Sequence, residues 1–430
     1  MEYNFFKNKK DFFILCLIDF FIIYFLYKEN YSKEIKFFVD FFVIYTKSFL
    51  FILLAYIFGR YSEIDTKKKN LLIKKEFIRT FLITFIAFIS VGYFKNKLVY
   101  LTFFSLNFSV LFIVKIFHAK YFSRRVRNLI LCGDNDFSNK LIDTLNETYN
   151  PNDYKIYNYS EIEMNKNKID YFIYQNKSKA NNILKNIDKI KTQGKIEIIN
   201  ILTWSEKNLY RLPTIFMNSS ACNQLIKKLK LIKFQLKIKR FFDIIASLIL
   251  IIITLPIIIL SFILLKIEDN GPMLYKQKRT GLNGKEFEIV KIRSMNINAE
   301  KDGPRWSQSN DQRVTRIGFF LRKFRIDELP QLFLVLKGKM SLIGPRPERP
   351  EFEKNLKEIN YYSLRNKIKP GISGWAQVNY NYGASFKDTE IKLSYDLYYI
   401  KNYSIILDIL ILFKTLKIVF NSNWSDPIKK

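Results

Sequence analysis

Apolar positions fill the first quarter of the chain in four long runs, 11–27, 37–58, 77–94 and 98–117, divided by short polar stretches. Each approaches the ~20 residues that a helix needs to span ~30 Å of hydrocarbon, so the pattern predicts a four-helix transmembrane bundle over residues 1–120. No small-residue cleavage site follows the first run, which reads as an anchor and not as a signal peptide. Beyond Arg127 the long runs give way to short alternating elements. "NLILCG", "DYFIYQ" and "KIEIINIL" read as strands, "FSNKLIDTLN" and "ANNILKNIDKIK" as helices. Alternation of that kind predicts a small doubly wound α/β domain, here over 121–225. Its first strand runs into "CGDNDFSN", where Gly133 stands alone in place of the three glycines of a dinucleotide fingerprint. The expectation is a degenerate Rossmann-like domain with a structural or regulatory role and no working NAD site.

A fifth apolar run, 241–265, would be ~37 Å long as a straight helix and carries Pro256 in its middle. Length favours a transmembrane span. Topology favours a hairpin bent at Pro256: four earlier crossings leave Lys237, Lys239 and Arg240 in the cytoplasm, and a fifth would export the basic remainder of the chain. The residues alone leave both readings open. A bend frees backbone polar groups in lipid, and the hydroxyls of Ser247, Thr254 and Ser261 are the expected partners. The last run, "YSIILDILILFKTLKIVF", is interrupted by Asp408, Lys414 and Lys417, which share no single helical face. It predicts a helix lying at the membrane interface, with packing into a core as the alternative.

Composition sharpens the membrane reading. Apolar residues make up 49% of the chain, yet the net charge is +31. A nucleic-acid binder can be that basic but has no use for long Phe- and Ile-rich runs. A membrane protein with basic cytoplasmic surfaces accounts for both excesses. Lys7, Lys9 and Lys10 precede the first run, Arg60 and several lysines lie between the second and third, and Arg124, Arg125 and Arg127 follow the fourth. Positive-inside counting places both ends of the bundle in the cytoplasm. Cys16, Cys132 and Cys222 are far apart and His118 is the single histidine. That argues against Cys-ligated zinc and excludes the HExxH pattern and most Ser-His or Cys-His mechanisms. Enzymatic chemistry here would run on carboxylates, cations and a hard metal ion.

Residues 276–399 concentrate glycine and proline among many cations, in "KQKRTGLNGKEFEIVKIRSM", "KGKMSLIGPRPERPE" and "KPGISGWAQVNYNYGAS". Fixed loops bearing several cations and backbone N–H groups suit a diphosphate. In "LRKFRIDELPQLFLVLKG" the adjacent carboxylates Asp327 and Glu328 follow Arg322, Lys323 and Arg325 and precede a helix that Pro330 starts and Gly338 closes. Asp327 reads as the N-cap, held ionised by free N–H groups and nearby guanidinium ions. An ionised carboxylate beside bound phosphate is a candidate nucleophile, and its neighbour a candidate magnesium ligand. An ordinary acidic cap with salt bridges is the other reading of this stretch taken alone.

Together, "RIDELPQL", "KGKMSLIGPRP" and "PGISGWAQVN" after a re-entrant-looking segment resemble the bacterial sugar transferase family, the polyprenyl-phosphate phosphoglycosyl transferases of monotopic type. The resemblance covers about residue 239 to the C-terminus; the preceding bundle and α/β domain resemble the large form, and "YDLYYIKNYS" is similar to its exopolysaccharide-type members. It implies a mostly α-helical catalytic domain over 226–430 with a re-entrant membrane helix at 239–266, Pro256 matching the family's helix-breaking proline. It also implies transfer of a sugar-1-phosphate from a UDP-sugar to undecaprenyl phosphate on the cytoplasmic face of the bacterial inner membrane. That reaction is the first membrane step of exopolysaccharide, capsule or O-antigen-type glycan synthesis. In this resemblance Asp327 would be the nucleophile, forming an aspartyl-phosphosugar, and Glu328, together with Asp327, would hold Mg2+. Lys291, Arg322, Pro345, Arg346, Pro347 and Asp396 would line the substrate site, with Arg346 helping to hold the nucleotide. The implied partners are the UDP-sugar, undecaprenyl phosphate and the lipid bilayer; self-association is left open. Two rivals stand beside it. A membrane-bound nucleotide-sugar dehydratase or epimerase would need an intact glycine-rich turn. A non-catalytic scaffold or regulator is disfavoured by the co-occurrence of the acid pair, Arg346 and Asp396. Nothing in the sequence names the sugar.

Overall fold

A computed structural model of the chain describes residues 15–24, 37–57, 77–85, 105, 108–114, 127–132, 135–148, 154–158, 170–175, 197–299, 303, 311–380 and 385–421. The chain divides into two compact units, Met1–Arg124 and Arg125–Lys430. In the first, the helical stretches Leu15–Tyr24, Phe37–Ile57, 77–85 and 108–114 all fall inside the four predicted runs. Ring contacts tie them in pairs: Tyr45 with Phe20 and Tyr24, and Phe77 with Phe108 and Phe112. The other residues of those runs, like Gly133 and the predicted helix at 180–191, lie outside the described residues.

The second unit begins with a parallel sheet of β1 (Arg127–Cys132), β2 (Tyr154–Asn158), β3 (Tyr171–Tyr174) and β4 (Glu197–Asn200), in the order β2-β1-β3-β4. Helix α1 (Asn135–Thr148) sets Phe137, Leu141 and Leu145, one turn apart, against Leu129, Leu131 and Ile173. The parallel sheet and α1 agree with the alternation, with two differences. Strand β2, "YKIYN", has too little apolar content to stand out; its backbone pairs along five positions of β1. Strand β4 also ends earlier than "KIEIINIL" suggests, because the Asn200 side chain accepts the N–H of Leu202 at 2.9 Å and starts helix α2 (Ile201–Asn208).

The remainder holds α3 (Lys233–Glu268), the antiparallel hairpin β5 (Leu274–Thr280) and β6 (Glu286–Ile292), α4 (Arg316–Lys323), a 3-10 turn at Ile326–Glu328, and α5 (Gln331–Leu336). Parallel β7 (Ser341–Ile343) and β8 (Gly371–Ser373), α6 (Phe386–Lys401) and α7 (Ile405–Asn421) follow, with shorter helices between them. Helix α6 joins this part to the sheet: Ser394 accepts the backbone N–H of Leu212, and Lys401 pairs with Glu206 at 2.7 Å.

Helices α3 and α7 are inside out. Helix α3 is long and apolar enough to cross a membrane, yet its buried positions include Lys239, Asp243, Ser247 and Ser261 while Ile252, Ile253, Ile259 and Leu260 face outward. On α7, Asp408 accepts hydrogen bonds from Lys239 (2.7 Å) and the Tyr399 hydroxyl (2.6 Å). Lys414 donates to Asn379 at 2.6 Å and lies 4.5 Å from the centre of the Trp375 ring. Ile406, Ile409 and Leu416 are left exposed. Asp408 and Lys414, two of the three charges that share no clean face in the sequence, are therefore satisfied inward, and exposed apolar side chains of this kind suit lipid, not water.

Both halves of α3 are fastened to one unit. Near its start Arg240 donates to the carbonyls of Val335 and Leu336, closing α5, and Asp243 accepts from the Ser341 hydroxyl and the Leu342 N–H. Near its end Ile258 and Leu265 pack on Ile292 and Leu321, and Glu268 accepts the N–H of Ile317. The helix is continuous through Pro256. The Thr254 and Ser261 hydroxyls bond Leu250 and Ile257 carbonyls, and the Ser247 hydroxyl has no partner among the described residues. None reaches the Ile252 carbonyl that the proline leaves open, because a helical hydroxyl folds back only onto its own preceding turn.

Two of the quoted motifs are two sides of one joint. The N–H groups of Ser341, Gly344 and Gly371 donate to the carbonyls of Pro370, Ser373 and Pro345 at 2.9–3.0 Å. A Cβ on Gly371 would lie 2.1 Å from the Gly344 nitrogen, and one on Gly344 would lie 2.4 Å from the Lys369 oxygen. Backbone atoms cannot step aside as a side chain can. Gly371→Ala should therefore destabilise the fold by about 1–3 kcal/mol or more and displace the Pro345–Pro347 turn. A thermal midpoint matching wild type in detergent solution would contradict the interlock.

Candidate active site

Helix α4 enters the 3-10 turn through Arg325, whose φ of 57° lies in the left-handed region. That conformation is strained by about 1–3 kcal/mol in a non-glycine residue. Ile326 and Leu329 hold the reversal in place by packing onto the cluster of Leu321, Ile292 and Leu265. Both acids between them are buried, Asp327 at 7% and Glu328 at 6% exposure.

The pair is electrostatically divided. Glu328 Oε1 accepts from Lys291 Nζ on β6 and from Arg346 Nη2, each at 2.8 Å, and Arg325 Nη1 stands 3.8 Å from Oε2. Burial by itself would raise the Glu328 carboxyl, but Arg346, Lys291 and Arg325 outweigh it and hold the group well below the usual carboxylate range. Asp327 Oδ1 has no hydrogen-bond partner among the described residues. Burial pushes the Asp327 carboxyl up, with Lys291 opposing and Glu328 adding to the rise. Two sequence expectations are corrected here. Asp327 caps no helix, since α5 begins after Pro330 without a side-chain cap. Of the cations expected to hold Asp327 ionised, Arg325 stands 3.8 Å from Glu328, and although Arg322 and Arg325 both act on Asp327, burial outweighs them.

The turn carrying Arg346 is built from its carbonyls. Pro345, Arg346 and Pro347 accept respectively from the Gly371 N–H (3.0 Å), Arg365 Nη2 (2.7 Å) and Arg279 Nη1 (3.2 Å). Buried Arg365 also donates to the Tyr362 hydroxyl and, through Nε, to Asp396 Oδ2 at 3.0 Å. Asp396 on α6 thus acts through Arg365 on the backbone of Arg346. Burial raises its carboxyl to about 6 against the pull of Arg365. Burial would also raise Glu348, but Arg365, Lys392 and Arg279 overcome it and hold the carboxyl low. Arg322, in the last turn of α4, contributes positive charge at Asp327. The predicted residues Asp327, Glu328, Lys291, Arg322 and Arg346 therefore converge, with Pro345 and Pro347 framing Arg346. Asp396 stands one residue behind. Arg279, Arg365 and Glu348 were not singled out in the sequence, where many other Lys, Arg and Glu residues mask them.

Among the described residues no group of three or more acidic, Cys or His side chains is placed to hold a metal. Magnesium does not require one, because it commonly takes one or two carboxylates and completes its shell with water and substrate phosphate. The unpartnered Asp327 oxygen beside Glu328 fits that open mode of binding.

A buried acid pair ringed by cations thus lies on the same unit as helices α3 and α7, which turn apolar side chains outward. The chain belongs to the bacterial sugar transferase family: the family model, "Bacterial sugar transferase", matches residues 234–422. It is 49% identical over 183 residues to the UDP-N-acetylgalactosamine-undecaprenyl-phosphate N-acetylgalactosaminephosphotransferase of Aeromonas hydrophila, covering 42% of this chain and 43% of that protein. It is 41% identical over 186 residues to the undecaprenyl-phosphate glucose phosphotransferase of Komagataeibacter xylinus, covering 42% of this chain and 35% of that one. A shorter relative from Bacillus subtilis is 56% identical over 131 residues, 30% of this chain and 73% of the relative. The match spans less than half the length of the first two relatives.

Proposed function

We propose that this chain transfers a sugar-1-phosphate from a UDP-sugar to undecaprenyl phosphate, with Asp327 as a covalent nucleophile. The carrying observation is the unpartnered Asp327 oxygen next to a Glu328 already saturated by cations, inside the family-matched segment. The two named relatives support the acceptor, and their different sugars, N-acetylgalactosamine and glucose, leave the donor open.

In the first step an Asp327 oxygen forms a bond to the phosphorus that bears the sugar. The bridging P–O bond breaks, and UMP leaves with its electron pair. In the second, an oxygen of the lipid phosphate bonds to the same phosphorus, the Asp327–phosphorus bond breaks, and the carboxylate is restored. Glu328 holds Lys291 and Arg346 close to Asp327, where their charge meets the diphosphate. Arg279 and Arg365 fix the backbone of the Arg346 turn. Magnesium, held by Asp327 and Glu328, would screen the repulsion between carboxylate and phosphate.

Helix α3 is read as re-entrant, entering and leaving on the cytoplasmic side. Fastening of both its halves to one unit supports that reading, as does Pro256 within it. The four N-terminal runs anchor the protein in the inner membrane with both ends inside. The domain limits 1–120, 121–225 and 226–430 go with this reading.

Purified full chain in lipid nanodiscs, given magnesium, undecaprenyl phosphate and a panel of UDP-sugars, should release UMP and form a lipid-linked diphosphosugar. Release of UDP, or no release from any donor, contradicts the proposal. Asp396→Asn should keep both catalytic carboxylates but remove the carboxylate hydrogen-bonded to buried Arg365, leaving Glu348 as its nearby counter-charge and destabilising the fold by about 1–3 kcal/mol. KM for the UDP-sugar should rise more than KM for the lipid. Equal effects on both would show that Asp396 does not act through the Arg346 turn.

A further inference from the structure

Helix α4, which feeds the catalytic turn, has an apolar outer face. Phe319 and Phe320 are 53% and 60% exposed, and Phe324, one turn beyond Phe320, is 41% exposed. The inner face, Ile317 and Leu321, packs on Ile258, Phe262 and Leu265 of α3. The phenyl row therefore lies beside the exposed apolar surface of α3. Two cations fall between Phe320 and Phe324: Lys323 Nζ lies 5.9 Å from the centre of the Phe324 ring, and the charge of Arg322 acts on Asp327. Along the chain the order is an exposed phenyl pair, two cations, a third phenyl ring and then the turn that carries buried Asp327.

That order complements one kind of ligand, a long apolar chain ending in a phosphate. Three adjacent exposed phenyl rings next to cations are costly in water and suited to a chain that arrives through lipid. We infer that α4 is the binding face for the acceptor, which deepens and rests on the function proposed above. The isoprenoid chain lies along Phe319, Phe320 and Phe324, and its phosphate is received by Arg322 and Lys323. From there a phosphate oxygen can bond to the phosphorus on Asp327 as the Asp327–phosphorus bond breaks, leaving the carboxylate free.

The test separates the half-reactions of the full chain in nanodiscs. In a Phe319→Ser/Phe320→Ser variant, UMP released without acceptor should match wild type, because the donor side is untouched. KM for undecaprenyl phosphate should rise about tenfold or more, and the wild-type preference for undecaprenyl phosphate over a ten-carbon isoprenyl phosphate should shrink. Phe319→Leu/Phe320→Leu, which keeps apolar contact, should restore most of it. A photoreactive isoprenyl phosphate should label the α4 peptide in wild type and less in the serine variant. An acceptor KM within twofold of wild type, labelling confined to other peptides, or equal loss of UMP release in both variants would overturn the inference. Failure of the parent reading looks different: wild type itself would release no UMP from any donor.

Discussion

Asp327→Asn should lower sugar-phosphate transfer by about 10⁴-fold or more while leaving the fold as stable as wild type, or more so. The loss follows from chemistry, since an amide oxygen is a poor nucleophile and nothing else in the turn replaces it. The stability expectation follows from the geometry. Asp327 Oδ1 makes no hydrogen bond among the described residues, so the amide forfeits none there. Burial disfavours the ionised carboxylate and raises its pKa, and replacing it by a neutral group of the same shape removes that cost. Active sites often hold such tension between stability and activity. The variant should melt at or above the wild-type temperature and release no UMP. Retention of a tenth of the wild-type rate would end the assignment.

Glu328→Gln should lose both properties together. Glu328 is the counter-ion of Lys291 and Arg346, at 2.8 Å from each. Burial lowers the pKa of Lys291, and the Glu328 charge is the largest influence keeping it protonated. Removing one member of a buried, paired set destabilises by about 3–5 kcal/mol. The released cations have a nearby alternative in Asp327, and pairing there would occupy the nucleophile. If the same free energy is lost from the transition state, turnover falls on the order of 10²–10⁴-fold. The two substitutions, one residue apart, should move thermal stability in opposite directions. A Glu328→Gln protein with wild-type melting and activity would show that the pair is not divided in this way.

The acid pair, Arg346 and the closure of α5 by Gly338, whose φ is 76°, were legible because each sits in a short stretch whose local chemistry is distinctive. Which acid takes the cations was not. Lys291 stands 37 positions before Glu328 on another element, and only the fold brings them together. The same limit hid the fate of Asp408, whose partner Lys239 is 169 residues away. A helical face can be drawn from the sequence, but not the buried groups that meet it. Asp396 was found as a polar residue in a telling motif, yet its action through Arg365 depends on a buried pair that spacing does not reveal. Strand β2 was missed because "YKIYN" owes its place to backbone pairing with β1 and not to its own hydrophobic pattern.

The most direct measurement is the mass of the protein after incubation with magnesium and its UDP-sugar donor in the absence of any lipid acceptor. The account predicts one equivalent of UMP per enzyme and a phosphosugar adduct that maps to Asp327 and disappears when undecaprenyl phosphate is added. Absence of UMP until the acceptor is present, or an adduct on any other residue, would contradict it.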